Sequence, residues 1–133
     1  MVRLSMKSET KIWLDYAEEN LKSSKILLDN MLYNPSLQNA QQSVEKALKA
    51  IVIEHEISLK RTHDILELKY LLQRKNIIVS ISDDECDLLN TIYLPSKYPM
   101  GDAIDEINPD DELCRIAIDI AENVFASAID LIK

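Results

Sequence analysis

The chain has 133 residues, a net charge of −8, one glycine, four prolines and two cysteines. That length suits a single domain over residues 1–133 that buries one core without metal or disulfide staples, and the scarcity of glycine and proline removes the turn chemistry of a many-stranded β fold. The acidic balance argues against general nucleic-acid coating, which needs summed positive potential on one face.

The opening MVRLSMKSETK has no apolar signal-like core, and no later run approaches the ~18 consecutive apolar residues of a membrane span, so a soluble, cytoplasmic protein is expected. A first helix is predicted from about Glu9 to Met31, with Trp13, Ala17, Leu21, Ser24, Leu28 and Met31 recurring at i+3 and i+4. Asn34-Pro35-Ser36 punctuates, and a second helix from about Pro35 to Glu56 carries a core stripe of Leu37, Ala40, Val44, Ala47, Leu48 and Ile51. Ser58 to Arg61 form the expected connection.

Thr62 is the predicted N-cap of a third helix, with Ile65, Leu68, Leu71 and Leu72 as its apolar face and its end near Lys75-Asn76. The β-branched run Ile77 to Ile81 has no partner strand and is expected to be an extended connector. Ser82-Asp83-Asp84-Glu85 matches a capping box and opens a fourth helix through about Tyr93. Leu94 to Asn108 holds two prolines and the only glycine, so an irregular loop is predicted; Asn108 caps and Pro109 opens the last helix, which reaches about Leu131. Long helices joined by short connections indicate an all-α, antiparallel up-and-down bundle.

On the last helix Leu113, Ile116, Ala117, Ile120, Val124 and Leu131 form one stripe, while Ile118, Phe125, Ile129 and Ile132 fall off it. One core is not expected to absorb both sets. With Ile51-Val52-Ile53 also spread around the second helix, the surplus predicts a partner surface, most simply a homodimer.

The candidate site lies in QNAQQSVEKALKAIVIEHEISLKRTHD, Gln38 to Asp64. With Val44 at the centre of the buried stripe, Gln42, Lys46 and Lys49 share the opposite face, flanked by Gln41 and Glu45. A solvated face with i,i+4 pairs would look the same. The next loop adds Lys60, Arg61 and His63 near a helix N-terminus, where backbone N–H groups favour anions. His63 suits a ligand phosphate or base, or a capping role beside Asp64. His55 has no constellation around it. Cys86 and Cys114 lack metal-ligand or redox spacing and read as reduced packing residues, and no metal site is expected. The acids at Asp83-Asp84-Glu85 and Asp110-Asp111-Glu112 read as helix starts.

Trp13 with Ala17, Ala40-Gln41-Gln42-x-x-Glu45-Lys46-Ala47-Leu48-Lys49-Ala50, Thr62-His63-Asp64-Ile65 and Tyr93-x-x-x-Lys97-Tyr98-Pro99 together resemble the HEPN domain, named for higher eukaryotes and prokaryotes nucleotide-binding. The resemblance spans almost the whole chain. It implies a bundle of four or five helices, commonly a homodimer, encoded beside a minimal nucleotidyltransferase and acting with it as toxin and antitoxin or as a nucleotide- or drug-modifying complex. The ligand surface it implies comprises Gln42, Lys46, Lys49, His63, Asp64, Lys97 and Tyr98, to which the loop adds Arg61. The resemblance also brings a metal-independent ribonuclease motif, Arg-x4–6-His, which is absent here: Lys49 precedes His55 suitably but lacks the planar guanidinium fork. The expectation is therefore a nucleotide- or phosphate-binding module with no catalytic residues, no resident cofactor and no metal. The rivals are a ribonuclease with a nonstandard site around His63, and a purely structural interaction module.

Overall fold

The structure, a computed structural model, describes residues 6–58, 61–97 and 109–133, the side chains of 94–97 excepted. Five helices follow one another: α1 (Ser8–Asp29), α2 (Tyr33–Glu54), α3 (Ile65–Gln73), α4 (Asp83–Lys97) and α5 (Asp111–Ile132). No strand occurs among the described residues, and Ile77 to Ile81 form the expected connector, with Val79 and Ile81 buried.

The four long helices alternate in direction. Thr10 bonds Glu54 at one end of the α1–α2 pair and Ser24 bonds Ser36 at the other, so these two run antiparallel. The Cys114 thiol donates to the Tyr33 carbonyl and His55 meets the Leu131 carbonyl, so α5 runs alongside α2 in the same direction. α3 is a short insertion antiparallel to α4: Ile65 N–H donates to Asn90 at one end, and Lys69 and Tyr70 bind Asp83 at the other. Lys69 and then Tyr70 hold the Asp83 carboxyl below its usual range.

α2 is the central element. Leu37, Ala40, Val44, Ala47, Leu48, Ile51 and Val52 are essentially inaccessible, and α1, α3, α4 and α5 all pack against it. Burial therefore extends around most of its circumference, well beyond the predicted stripe.

Local chemistry sets the helix ends. Ser82 and Glu85 form a reciprocal capping box, each backbone N–H reaching the other's side chain. Asp64 caps α3 and Asp110 caps α5. These replace the expected caps Thr62 and Asn108; Thr62 instead accepts the Asp64 N–H in the preceding turn. α4 continues four residues past Tyr93, through Pro95, to Lys97, and most of the predicted irregular loop lies outside the described residues.

Three helices close alike without glycine. After α1, Met31 N–H bonds Leu28 O and Leu32 N–H bonds Leu27 O; after α2, Glu56 and Ile57 bond Ile53 and Val52; after α3, Asn76 and Ile77 bond Gln73 and Leu72. Each is a Schellman motif, and Met31, Glu56 and Asn76 hold its left-handed position at φ of 59°, 56° and 62°. Met31 is consequently 72% exposed, not part of the α1 core stripe.

The α5 expectation is corrected too. Its buried face is Cys114, Ala117, Ile118, Ile120, Ala121, Val124, Ala128 and Ile132, whereas Ile116 is exposed. Small residues bring α5 close to α2 and rotate the seam toward Ile118 and Ile132, which the single core does absorb. Phe125 and Ile129 pack partly buried against it, and Ile53 of α2 is half-buried. The inferred apolar surplus is therefore mostly internal. No helix among the described residues is long and apolar enough to cross a membrane.

Candidate functional site

The loop after α2 turns back along that helix. From Glu45 to Glu54 α2 advances about 14 Å, and the chain recovers that distance by His63, whose Nδ1 lies 2.9 Å from Glu45 Oε2. This return brings His63 and Asp64 to the middle of the glutamine- and lysine-bearing helix.

Glu45 is the hub. Its Oε2 also accepts from Lys49 Nζ at 2.7 Å, its Oε1 accepts from Gln41 Nε2 at 3.2 Å, and Gln41 Oε1 accepts from Gln42 Nε2 at 2.8 Å. The Glu45 and Lys49 side chains are only 5% and 10% exposed. The Lys49 ammonium also sits 5.7 Å from the Trp13 ring centroid, a cation–π contact. Lys49 is therefore not on a solvated face, as the wheel centred on Val44 implied; neighbours on both sides of α2 enclose it.

A carboxylate oxygen accepts, so in this contact His63 Nδ1 donates its proton to Glu45. Nε2 is left at the far edge of the ring. The imidazole stacks on Tyr93 with centroids 4.9 Å apart and planes inclined 20°. Its side chain is 56% exposed, and with Asp64, Asn90 and Tyr93 it lines a cleft of about 240 Å³. Asn90 is fixed there, accepting from Ile65 N–H and donating to Asp64 Oδ1, which also receives the Glu67 N–H.

Lys46 belongs to a neighbouring network on the α1 side. Its Nζ donates to Asn20 Oδ1 at 2.9 Å and lies 5.6 Å from the Tyr16 ring centroid, while Asn20 donates to Asn39. Arg61 is exposed. Thus Gln42, Lys49, His63 and Asp64 come together around Glu45 and Asn90, and Lys46 borders them. Lys97 ends α4 with its side chain outside the described residues, where Tyr98 also lies.

Sequence reasoning passed over Glu45, Asn90 and Tyr93 as site members. The Glu45–Lys49 spacing of i,i+4 was a signal for the first; nothing local marks Asn90, because its partners belong to another helix. Among the described residues no group of His, Cys, Asp and Glu is placed to hold a metal. Cys86 and Cys114 are free and buried, and burial pushes the Cys86 thiol up to about 11.

A model of the HEPN domain matches residues 10–131. Over 51 residues the chain is 41% identical to "Putative toxin MJ1304" of Methanocaldococcus jannaschii, an alignment spanning 38% of this chain and about a third (34%) of that relative. Similar folds are found in the crystal structure of TT1696 from Thermus thermophilus, with TM-score 0.74, 23% identity and coverage of 94% of this chain and 99% of that one. ST0689, described as an archaeal HEPN homologue, gives 0.69 and 21%, covering 93% and 98%. The HEPN domain protein tm0613 from Thermotoga maritima gives 0.51 and 20%, covering 90% of each chain.

Proposed function

The chain belongs to the HEPN domain family, and from that premise we propose that it is a nucleotide- or phosphate-binding module of toxin–antitoxin type, acting with a minimal nucleotidyltransferase. The likeness to a protein named as a toxin supports the setting. The observation that carries the binding reading is the His63–Tyr93 stack beside the cleft, with Asn90 locked next to it. A flat aromatic pair at a cleft's edge can extend its stack over a nucleobase, and such stacking is sequence-tolerant.

In this reading His63 and Gln42 orient base or sugar, together with Tyr98, and Arg61, Lys46 and Lys97 meet phosphate. Lys49 contributes less than a free cation would, because Glu45 offsets its charge at 2.7 Å. Calorimetric titration with ATP and GTP tests the reading. Tyr93→Ala should weaken binding by about tenfold, the scale of one lost base stack, and Arg61→Ala should weaken it by removing a phosphate contact and make the residual binding less salt-dependent. No heat at millimolar nucleotide removes the proposal. Co-purification with a nucleotidyltransferase but without nucleotide uptake would favour an interaction module instead.

The Glu45–His63 pair also favours a second reading, a metal-independent ribonuclease with His63 as the proton-transfer group. It requires RNA cleavage by the purified protein that His63→Ala abolishes.

A further inference from the structure

We propose that His63 is a phosphoryl-acceptor residue whose Nε2 is modified by a small acyl-phosphate or phosphoramidate donor, with Glu45 as its positioning residue. The proposal shares a cleft with the nucleotide reading but does not require a nucleotide to bind there.

Three features select this nitrogen. Glu45 fixes the tautomer by accepting the Nδ1 proton at 2.9 Å, so the Nε2 lone pair is the nucleophilic one. The Tyr93 ring 4.9 Å away holds the imidazole plane, and more than half of the His63 side chain remains accessible beside the cleft. Arg61 offers an exposed guanidinium two residues earlier, while one oxygen of the nearby Asp64 carboxylate is engaged by the Glu67 N–H and by Asn90.

His55 supplies an internal contrast. Its Nε2 lies 3.2 Å from the Leu131 carbonyl, which can only accept, so Nε2 carries the proton and Nδ1 the lone pair. Among the described contacts no carboxylate backs that ring.

The step balances without further reagents. The Nε2 lone pair attacks phosphorus, a P–N bond forms, and the P–O bond of an acyl phosphate breaks with its electron pair leaving on the carboxylate. A phosphoramidate donor loses its amine instead, which takes a proton from water. Nδ1 keeps its proton throughout. The positive charge that develops on the ring is offset by Glu45, whose own charge is held in place by Lys49. Attack by water at phosphorus later breaks the P–N bond, returning its electron pair to Nε2 and releasing inorganic phosphate.

The test treats the full chain with potassium phosphoramidate and follows phosphorylation by ³¹P NMR and by mass spectrometry of the two histidine peptides. The proposal expects His63 to be modified at Nε2 about tenfold faster than His55, a barrier difference of about 1.4 kcal/mol, and Glu45→Gln to remove most of that advantage by withdrawing the negative charge that offsets the developing charge on the ring. His63→Gln should leave only the slow His55 signal. Equal rates at the two histidines, or attachment to His63 at Nδ1, would overturn it. The site of attachment is read on the unaltered protein, so the proposal stands or falls there even if Glu45→Gln fails to fold. Loss of nucleotide binding with His63 labelling intact would sink the nucleotide reading alone.

Discussion

Lys49 Nζ and Glu45 Oε2 lie 2.7 Å apart, one turn of α2 from each other and both nearly excluded from water. Two charges removed from solvent in this way hold each other in place, and removing one strands the other. Glu45→Ala should destabilise the protein by about 3–5 kcal/mol in urea denaturation. A paired Glu45→Met, Lys49→Met replacement should recover most of that loss. An equally damaging double variant would show that the pair's geometry, not its desolvation, dominates.

Cys86 gives a pH signature. Burial raises its thiol from the ordinary 9.0 to about 11, so the folded chain binds that proton more tightly than the unfolded one. The resulting stability is fully present below pH about 9 and is lost as pH rises toward about 11. Thermal melts across that window should fall more steeply for the natural protein than for Cys86→Ala. Parallel slopes would refute the assignment.

The glycine-free Schellman ends are strained at Met31, where a side chain occupies a left-handed backbone at φ of 59°. Met31→Gly should stabilise the fold by up to about 1 kcal/mol by relieving the Cβ clash, less the entropy glycine adds to the unfolded chain. Asn76→Gly should gain less, because asparagine tolerates this region. Chemical denaturation of both variants checks the ranking.

Asp64 caps α3 and, through Asn90, ties that helix to α4. Asp64→Ala should cost about 1–2 kcal/mol. Hydrogen exchange should accelerate first at the Glu67 amide, which loses its acceptor. Uniform acceleration across the chain would indicate a global effect instead.

The capping box at Ser82–Glu85 was legible because its chemistry is confined to four residues. The burial of Lys49 was not. A helical wheel assumes one wet side, and α2 has neighbours on nearly every side, so its polar face became an interior network. The α5 seam was misplaced for a related reason: large apolar residues drew the stripe, while Cys114, Ala117, Ala121 and Ala128 mark the close approach. Of the candidate ligand residues, Gln42, Lys46 and Lys49 were expected from their types on one helix and Arg61, His63 and Asp64 from the loop after it. That His63 reaches Glu45, and that Tyr93 and Asn90 complete the cleft, depends on a loop reversal that no local pattern encodes.

The α1–α2 pair carries a further consequence. Ser24 Oγ donates to the Ser36 carbonyl and Ser36 Oγ to the Ser24 carbonyl, while Ser43 Oγ donates to Ala17 O, all out of contact with water. Every one of these partners matches only at a single longitudinal offset. Sliding α1 along α2 by one turn, about 5.4 Å, would leave hydroxyls facing hydrocarbon and shear Trp13 away from Lys49. The hairpin is thus keyed like a ratchet tooth in its notch, and the aromatic lid over the buried ion pair is aligned by three serines that touch no part of it.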